Sequence, residues 1–268
     1  MKKNHLHQPF VLAVISGKGG VGKSMTAVNL ASSLNHAGYR AAILDADIGL
    51  SNCATLLNEQ VTSTVGQWIH GDCSLDHLPH RLPEFTLVTA ADDPSQQSIQ
   101  PDVFMDAMDQ VMMKLKEDHD FIIIDTPAGA GEMALWALDS ADLGALLIVD
   151  EPTAISDVYR LCKYVLNIDP AYRFGSIVNF ADSEGSADST FSRFNTILNY
   201  FLQQKTDYLG FVPVSESIRE SIQKQKTLRQ LSGKDPVIVE FDFIAQNVIS
   251  FANQAVQELV PATNHQRG

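Results

Sequence analysis

Between the apolar run Phe10-Val-Leu-Ala-Val-Ile-Ser16 and a segment of helical period lies Gly17-Lys-Gly-Gly-Val-Gly-Lys-Ser24, which satisfies G-x-x-x-x-G-K-[ST]. No other feature restricts the fold as much, because the motif works only when a strand delivers the loop to the first turn of a helix. Gly17, Gly19, Gly20 and Gly22 let backbone N–H groups close around phosphate oxygens, and the cradle runs on through Val21 to Met25. Lys23 adds a point charge at the β- and γ-phosphates, and Ser24 offers a hydroxyl to Mg²⁺. The implied ligand is a nucleoside triphosphate with its metal.

The rest of the chain supplies the sheet that such a loop needs. Apolar runs predict strands at Phe10–Ile15, Arg40–Asp45, Phe85–Thr89, Phe121–Asp125, Gly144–Val149, Gly175–Asn179 and Tyr208–Val212, with helical segments between most of them. This is the pattern of an α/β fold: a doubly wound, mostly parallel sheet of about seven strands with helices on both faces. Ala27, Leu30, Ala31 and Leu34 form one stripe of the first helix, and Gly38 is placed to end it. Asp182 to Ser189, rich in Ser, Asp and Gly, reads as a mobile surface loop. The expected organisation is a short tail at 1–9, one ATPase domain at 10–260 and a C-terminal tail at 261–268.

Composition narrows the classes. With 45% hydrophobic residues and 19% charged, the chain has the balance of a globular protein rather than a disordered one or a membrane bundle. Nineteen Lys and Arg against 32 Asp and Glu give a net charge of −13, which repels nucleic-acid backbones. Over a Debye length of about 8 Å, however, Lys18, Lys23, Mg²⁺ and a helix N-terminus outweigh distant carboxylates at bound phosphates. Cys53, Cys73 and Cys162 have no paired spacing, which argues against a disulfide framework or zinc site and fits a reducing cytoplasm. The first apolar run lacks a cleavage pattern and is read as a strand rather than a signal peptide. His77 and His80 flank Pro79 and read as solvated loop residues, and no nucleophile elbow supports a hydrolase triad.

Two acidic motifs fall at the carboxyl ends of strands, where doubly wound folds bind ligands. In Asp45-Ala-Asp47-Ile-Gly-Leu-Ser-Asn52, two carboxylates two residues apart are expected to point the same way on an extended segment, near metal-bound water and the attacking water. Phe121-Ile-Ile-Ile-Asp125-Thr-Pro-Ala-Gly129 is an apolar strand ending in a carboxylate suited to hold Mg²⁺ through water.

The second loop lysine, in Lys18-Gly-Gly-Val-Gly-Lys23-Ser24, resembles the deviant Walker A box of the MinD/ParA ATPases. That resemblance implies ATP and Mg²⁺ as ligands, slow hydrolysis, and an ATP-sandwich homodimer in which Lys18 reaches the partner's nucleotide. It also implies that Asp47 activates water, that Asp45 supports the metal or the loop, and that Asp125 is the Walker B carboxylate. Asn179 matches the family's adenine-binding asparagine, with Pro213 and Val214 beside the base. Asp150-Glu-Pro-Thr-Ala-Ile-Ser-Asp157, near the family's dimer interface, and Gly210-Phe-Val-Pro213-Val-Ser-Glu216 resemble the flagellar-number branch. Asp125-Thr-Pro-Ala-Gly129 is closer to the cell-division branch, and only about nine residues precede the first strand, where the flagellar branch carries a GTPase-activating segment.

The resulting expectation is a cytoplasmic switch, polar or peripheral at the inner membrane face, that controls flagellar number or another polar organelle through a transcriptional regulator or organelle component. One alternative is an iron-sulfur carrier or nitrogenase-like ATPase, which needs paired cluster cysteines. Another is a DNA-segregation ParA, but its best basic stripe, Arg219, Lys224, Lys226 and Arg229, is diluted by Glu216 and Glu220, and direct DNA binding is disfavoured. Near the C-terminus, Phe241, Ile244, Ala245, Val248, Ala252, Ala255, Val256 and Leu259 predict a helix. With no Lys or Arg between Asp235 and Val260, that helix is expected to pack on the core or a partner and to associate only weakly with membrane.

Overall fold

The computed structural model describes residues 6, 8–49, 51–91 and 99–259, with side chains to 255. Leu50 of the acidic motif and the side chains of Val256 and Leu259 therefore lie outside the described residues. β1 (Phe10–Ile15) leads through the glycine loop into α1 (Lys23–His36), and β2 (Ala41–Asp45) follows. Two short helices, α2 (Asn52–Leu57) and α3 (Val65–His70), precede the hairpin of β3 (His80–Arg81) and β4 (Thr86–Thr89). Then come α4 (Pro101–Asp118), β5 (Phe121–Asp125), α5 (Glu132–Asp139), β6 (Leu143–Ile148), α6 (Pro152–Ile168) and β7 (Phe174–Ala181). The described chain closes with α7 (Glu184–Leu202), β8 (Asp207–Pro213), α8 (Glu216–Lys224), α9 (Leu228–Leu231) and α10 (Pro236–Leu259).

The strands form one sheet in the order β3-β4-β2-β5-β1-β6-β7-β8, parallel except for β3 against β4. Each predicted strand is present within about two residues. The eighth, β3, has two residues and no period to read; its pairing rests on Leu87 and Thr86 opposite it. β1 is central and fully buried because both its faces are covered. Phe10, Leu12 and Val14 join the core beneath α1 and α10, while Val11, Ala13 and Ile15 join the opposite core beneath α4, α5 and α6. This layering holds the carboxyl ends of β1, β2 and β5 side by side, in register at Val14–Asp125 and Asp45–Asp125.

One expectation is overturned. Asp182 to Ser189 is not a loop: α7 begins at Glu184, and the small polar residues are its cap. Ser183 Oγ accepts from the Ser186 N–H at 3.2 Å, and Ser186 Oγ accepts from the Ser183 N–H at 3.0 Å, a reciprocal box that satisfies otherwise orphaned donors. The predicted C-terminal helix is present as α10 and packs on the body of the protein, burying Phe241, Ile244, Ala245, Val248 and Ala252 against α1 and β8.

Candidate nucleotide site

The glycine loop turns over the carboxyl end of β1 and opens α1 with Gly22 at φ +93°, a left-handed position that bears no side chain cheaply. A Cβ there would also stand 2.5 Å from Asn179 Nδ2, and one on Gly17 would stand 2.4 Å from Asp157 Cβ. The loop is thus clamped between β7 and the first turns of α6. A cavity of about 400 Å³ opens beside it, lined by Gly19, Gly20, Gly22, Lys23, Ser24 and Met25 on one wall and by Asp47, Asn52, Thr126 and Pro127 on others. Val21 is buried and supports the loop from beneath.

Lys23 is buried and its Nζ donates to Ser16 Oγ at 3.2 Å, while Ser16 Oγ donates to the Lys18 carbonyl at 2.8 Å. Burial pushes the lysine's pKa down, opposed by the charges of Asp125 and Asp47. Asp125, at the end of β5, is buried and held above the usual carboxylate range by that burial, with the Ser24 hydroxyl, Cys53 and Lys23 acting to stabilise its charge. Its Oδ2 accepts from Cys53 Sγ at 3.4 Å, and its Oδ1 has no hydrogen-bond partner. A buried carboxylate oxygen left free beside a serine hydroxyl is the hard-oxygen pair that Mg²⁺ prefers, so the residues fit the ion.

Asp45 and Asp47 do different work, and of the two supports expected of Asp45, the metal or the loop, its hydrogen bonds show the loop. Asp45 is fully buried and spends its oxygens on the following loop: Oδ2 accepts from Ser51 Oγ and the Cys53 N–H, each at 3.0 Å, and Oδ1 accepts from the Asp47 N–H at 3.3 Å. Burial, with Asp125 close by, pushes its pKa to about 7. It braces the loop with three accepted bonds, and with Cys53 and Asp125 it forms a buried group whose ligand atoms lie within 4.8 Å of one another. Asp47 faces the cavity, steadied by the Gly49 N–H at 3.1 Å and Asn52 Nδ2 at 3.2 Å.

Asn179 stands behind the glycine loop. It is buried, its Nδ2 donates to the Val21 carbonyl at 2.6 Å, and its Oδ1 accepts from the Phe180 N–H at 2.9 Å. It ties the glycine loop to β7, with one amide N–H and one Oδ1 lone pair left over from these two bonds. Pro213 ends β8 beside it, and the Val214 N–H donates to the Ala181 carbonyl at 3.0 Å. Lys18 stands on the rim, 49% exposed, with Nζ 2.7 Å from Glu151 Oε2 at the start of α6. Glu151 belongs to the Asp150–Asp157 box that the resemblance puts near a dimer interface, but sequence reasoning marked no role for Glu151 itself. Cys53, which bridges the two buried carboxylates, was equally unmarked. The histidines are apart from this site: His80 Nε2 lies 3.1 Å from Glu59, and His77 Nδ1 lies 3.2 Å from Ser74.

A doubly wound sheet carrying this loop, a buried lysine and a free carboxylate oxygen defines a P-loop nucleoside triphosphatase. The chain belongs to the ParA family, described as NUBPL iron-transfer P-loop NTPase, which it matches over residues 8–249. It is 31% identical to the antiactivator FleN of Pseudomonas aeruginosa, over 92% of this chain and 88% of that one. It is 27% identical to the flagellum site-determining protein YlxH of Helicobacter pylori, over 89% and 81% of the two chains. Among solved structures, the septum site-determining protein MinD from Pyrococcus horikoshii, complexed with Mg-ADP, superposes with a TM-score of 0.72 at 21% identity, covering 92% of this chain and 98% of that one. As a member of the MinD/ParA group the chain is an ATPase with ATP and Mg²⁺ as its ligands.

Proposed function

We propose that this ATPase is a regulatory switch for flagellar number or placement, which dimerises on ATP and releases a protein partner after hydrolysis. The observation that carries the reading is the similarity to FleN and YlxH across about nine-tenths of the chain. Bound Mg²⁺ would neutralise charge on the β- and γ-phosphates, held by Ser24 and Asp125. Lys23 holds the same phosphates, and Asp47 orients the attacking water. Lys18, being exposed on the rim, is free to leave Glu151 for the nucleotide of a second copy. The exposed ion pair that holds it contributes only about 0–1 kcal/mol, so a triphosphate is an adequate competitor. Among the described residues no helix is long and apolar enough to cross a membrane.

The family description names iron transfer, but the cysteines do not favour it here. Cys53 and Cys162 are buried and Cys73 is half-buried, so none presents an open thiol for a cluster. Among the described residues, three of the four members of the basic stripe, Arg219, Lys224 and Arg229, are paired with Glu216, Glu220 and Asp242. The test is capture with Asp47→Ala, which should bind Mg-ATP, fail to hydrolyse it and accumulate as dimer. That dimer should retain a flagellar transcriptional regulator that the ADP form does not. A monomeric variant hydrolysing at the wild-type rate, or equal retention with ATP and ADP, would refute the switch.

A further inference from the structure

We propose that Gln225 is a positioning residue for ATP hydrolysis, which holds in place the short helix that aims Asp47. The inference rests on the reading of Asp47 as the carboxylate that orients the attacking water, and it names what steadies that carboxylate from outside the motif. Gln225 ends α8 in the left-handed region, at φ 52° and ψ 52°. Glycine adopts this conformation freely and other residues do so at a cost, so a glutamine kept there points to a use for its side chain. That side chain reaches 170 residues back along the chain, where Nε2 donates to the Thr55 carbonyl at 2.7 Å.

Thr55 lies in α2, whose six residues are too few to make a stable helix unaided. Its ends decide whether it forms. At the first end, the Ser51 side chain accepts from the Ala54 N–H and Asp45 accepts the Cys53 N–H. At the last end, the Thr55 carbonyl receives a bond of 3.3 Å from the Asn58 N–H, and Gln225 adds the shorter one. Gln225 is thus a C-terminal cap supplied by a different element. The cap matters because of what α2 carries. Its first residue, Asn52, donates Nδ2 to Asp47 Oδ2 at 3.2 Å. Asp47, Asn52, Thr55 and, from α8, Ile222 all line the cavity beside the glycine loop, so α8 and α2 share its wall and Gln225 ties one to the other. The phosphate cradle is held separately, by Asn179 on the Val21 carbonyl and by Ser16 at Lys23. Loosening α2 therefore frees Asp47 from Asn52 and misaims the water, while ATP stays bound.

The test is steady-state hydrolysis of Mg-ATP by the full chain, with denaturant unfolding alongside. Gln225→Gly removes the amide and relieves the left-handed backbone, so the variant should keep its denaturant midpoint. With one neutral hydrogen bond lost, kcat should fall about fivefold while KM changes by less than about twofold. Gln225→Lys keeps a donor at similar reach and should return kcat to within about twofold of wild type. In an Asp47→Ala background, Gln225→Gly should leave the residual rate unchanged, because both residues act through one carboxylate. Wild-type kcat in Gln225→Gly, a rise in KM at constant kcat, no rescue by lysine, or a further fall in the Asp47→Ala background would overturn the positioning role. Hydrolysis at the wild-type rate by Asp47→Ala alone would instead refute the reading of Asp47 on which the inference rests.

Discussion

At the residue scale, the two loop lysines separate by burial. Lys23 is enclosed and aimed along the loop, so Lys23→Ala should abolish nucleotide binding. Lys18→Ala should leave binding intact and prevent the dimer, a difference that nucleotide titration and light scattering together resolve. Equal loss of binding in both variants would contradict the sandwich. Glu151→Gln is the complementary change: it releases Lys18 from a 2.7 Å ion pair between half-exposed groups. Since such a pair contributes about 1 kcal/mol or less and a dimer releases two of them, the protein concentration at half-dimerisation with ATP should fall by up to about thirtyfold. A rise would mean that Glu151 supports the dimer. That Lys23, Ser24 and Asp125 gather at one site was legible because the spacing of the motifs places them at neighbouring strand ends. The bonds that Asp45 and Asn179 make were not legible, since their partners lie beyond the motif or far along the chain, which no local spacing reports.

At the element scale, the short polar residues around Asp182 to Ser189 show how the same composition serves a loop or a helix cap. Only the reciprocal bonds between Ser183 and Ser186 distinguish the two. The end of α4 carries a pH response. His119 Nδ1 lies 3.0 Å from the Leu115 carbonyl, which only accepts, so Nδ1 bears the proton and Nε2 accepts from Thr86 Oγ1 at 2.8 Å. Burial is the first cause of a pKa below the usual 6.5, with Arg40 and Arg81 adding to it, while the Leu115 carbonyl and Asp118 oppose it. The unfolded chain therefore binds a proton before the folded one does, and this contribution to stability is present above pH 6.5 and lost as pH falls below it. His119→Gln should flatten the acid-side decline in denaturant midpoint. A slope unchanged from wild type would show that other groups carry it.

At the scale of the whole molecule, α10 returns the C-terminal region to the first helix and the last strand. Phe241 is almost wholly buried there, and Phe241→Ala should cost about 3–5 kcal/mol by chemical denaturation, with no change in association with anionic vesicles. A small stability change together with loss of ATP-dependent vesicle sedimentation would reassign α10 to the membrane. The sequence alone determined the doubly wound sheet, the glycine loop and the two strand-end carboxylates, because alternation, apolar runs and motif spacing are local properties. The tertiary structure alone decided which carboxylate oxygen stays free, which partner holds Lys18, and that Gln225 caps α2 from another element. Each of those depends on contacts between segments that are distant in the chain, and only packing brings such segments within bonding distance.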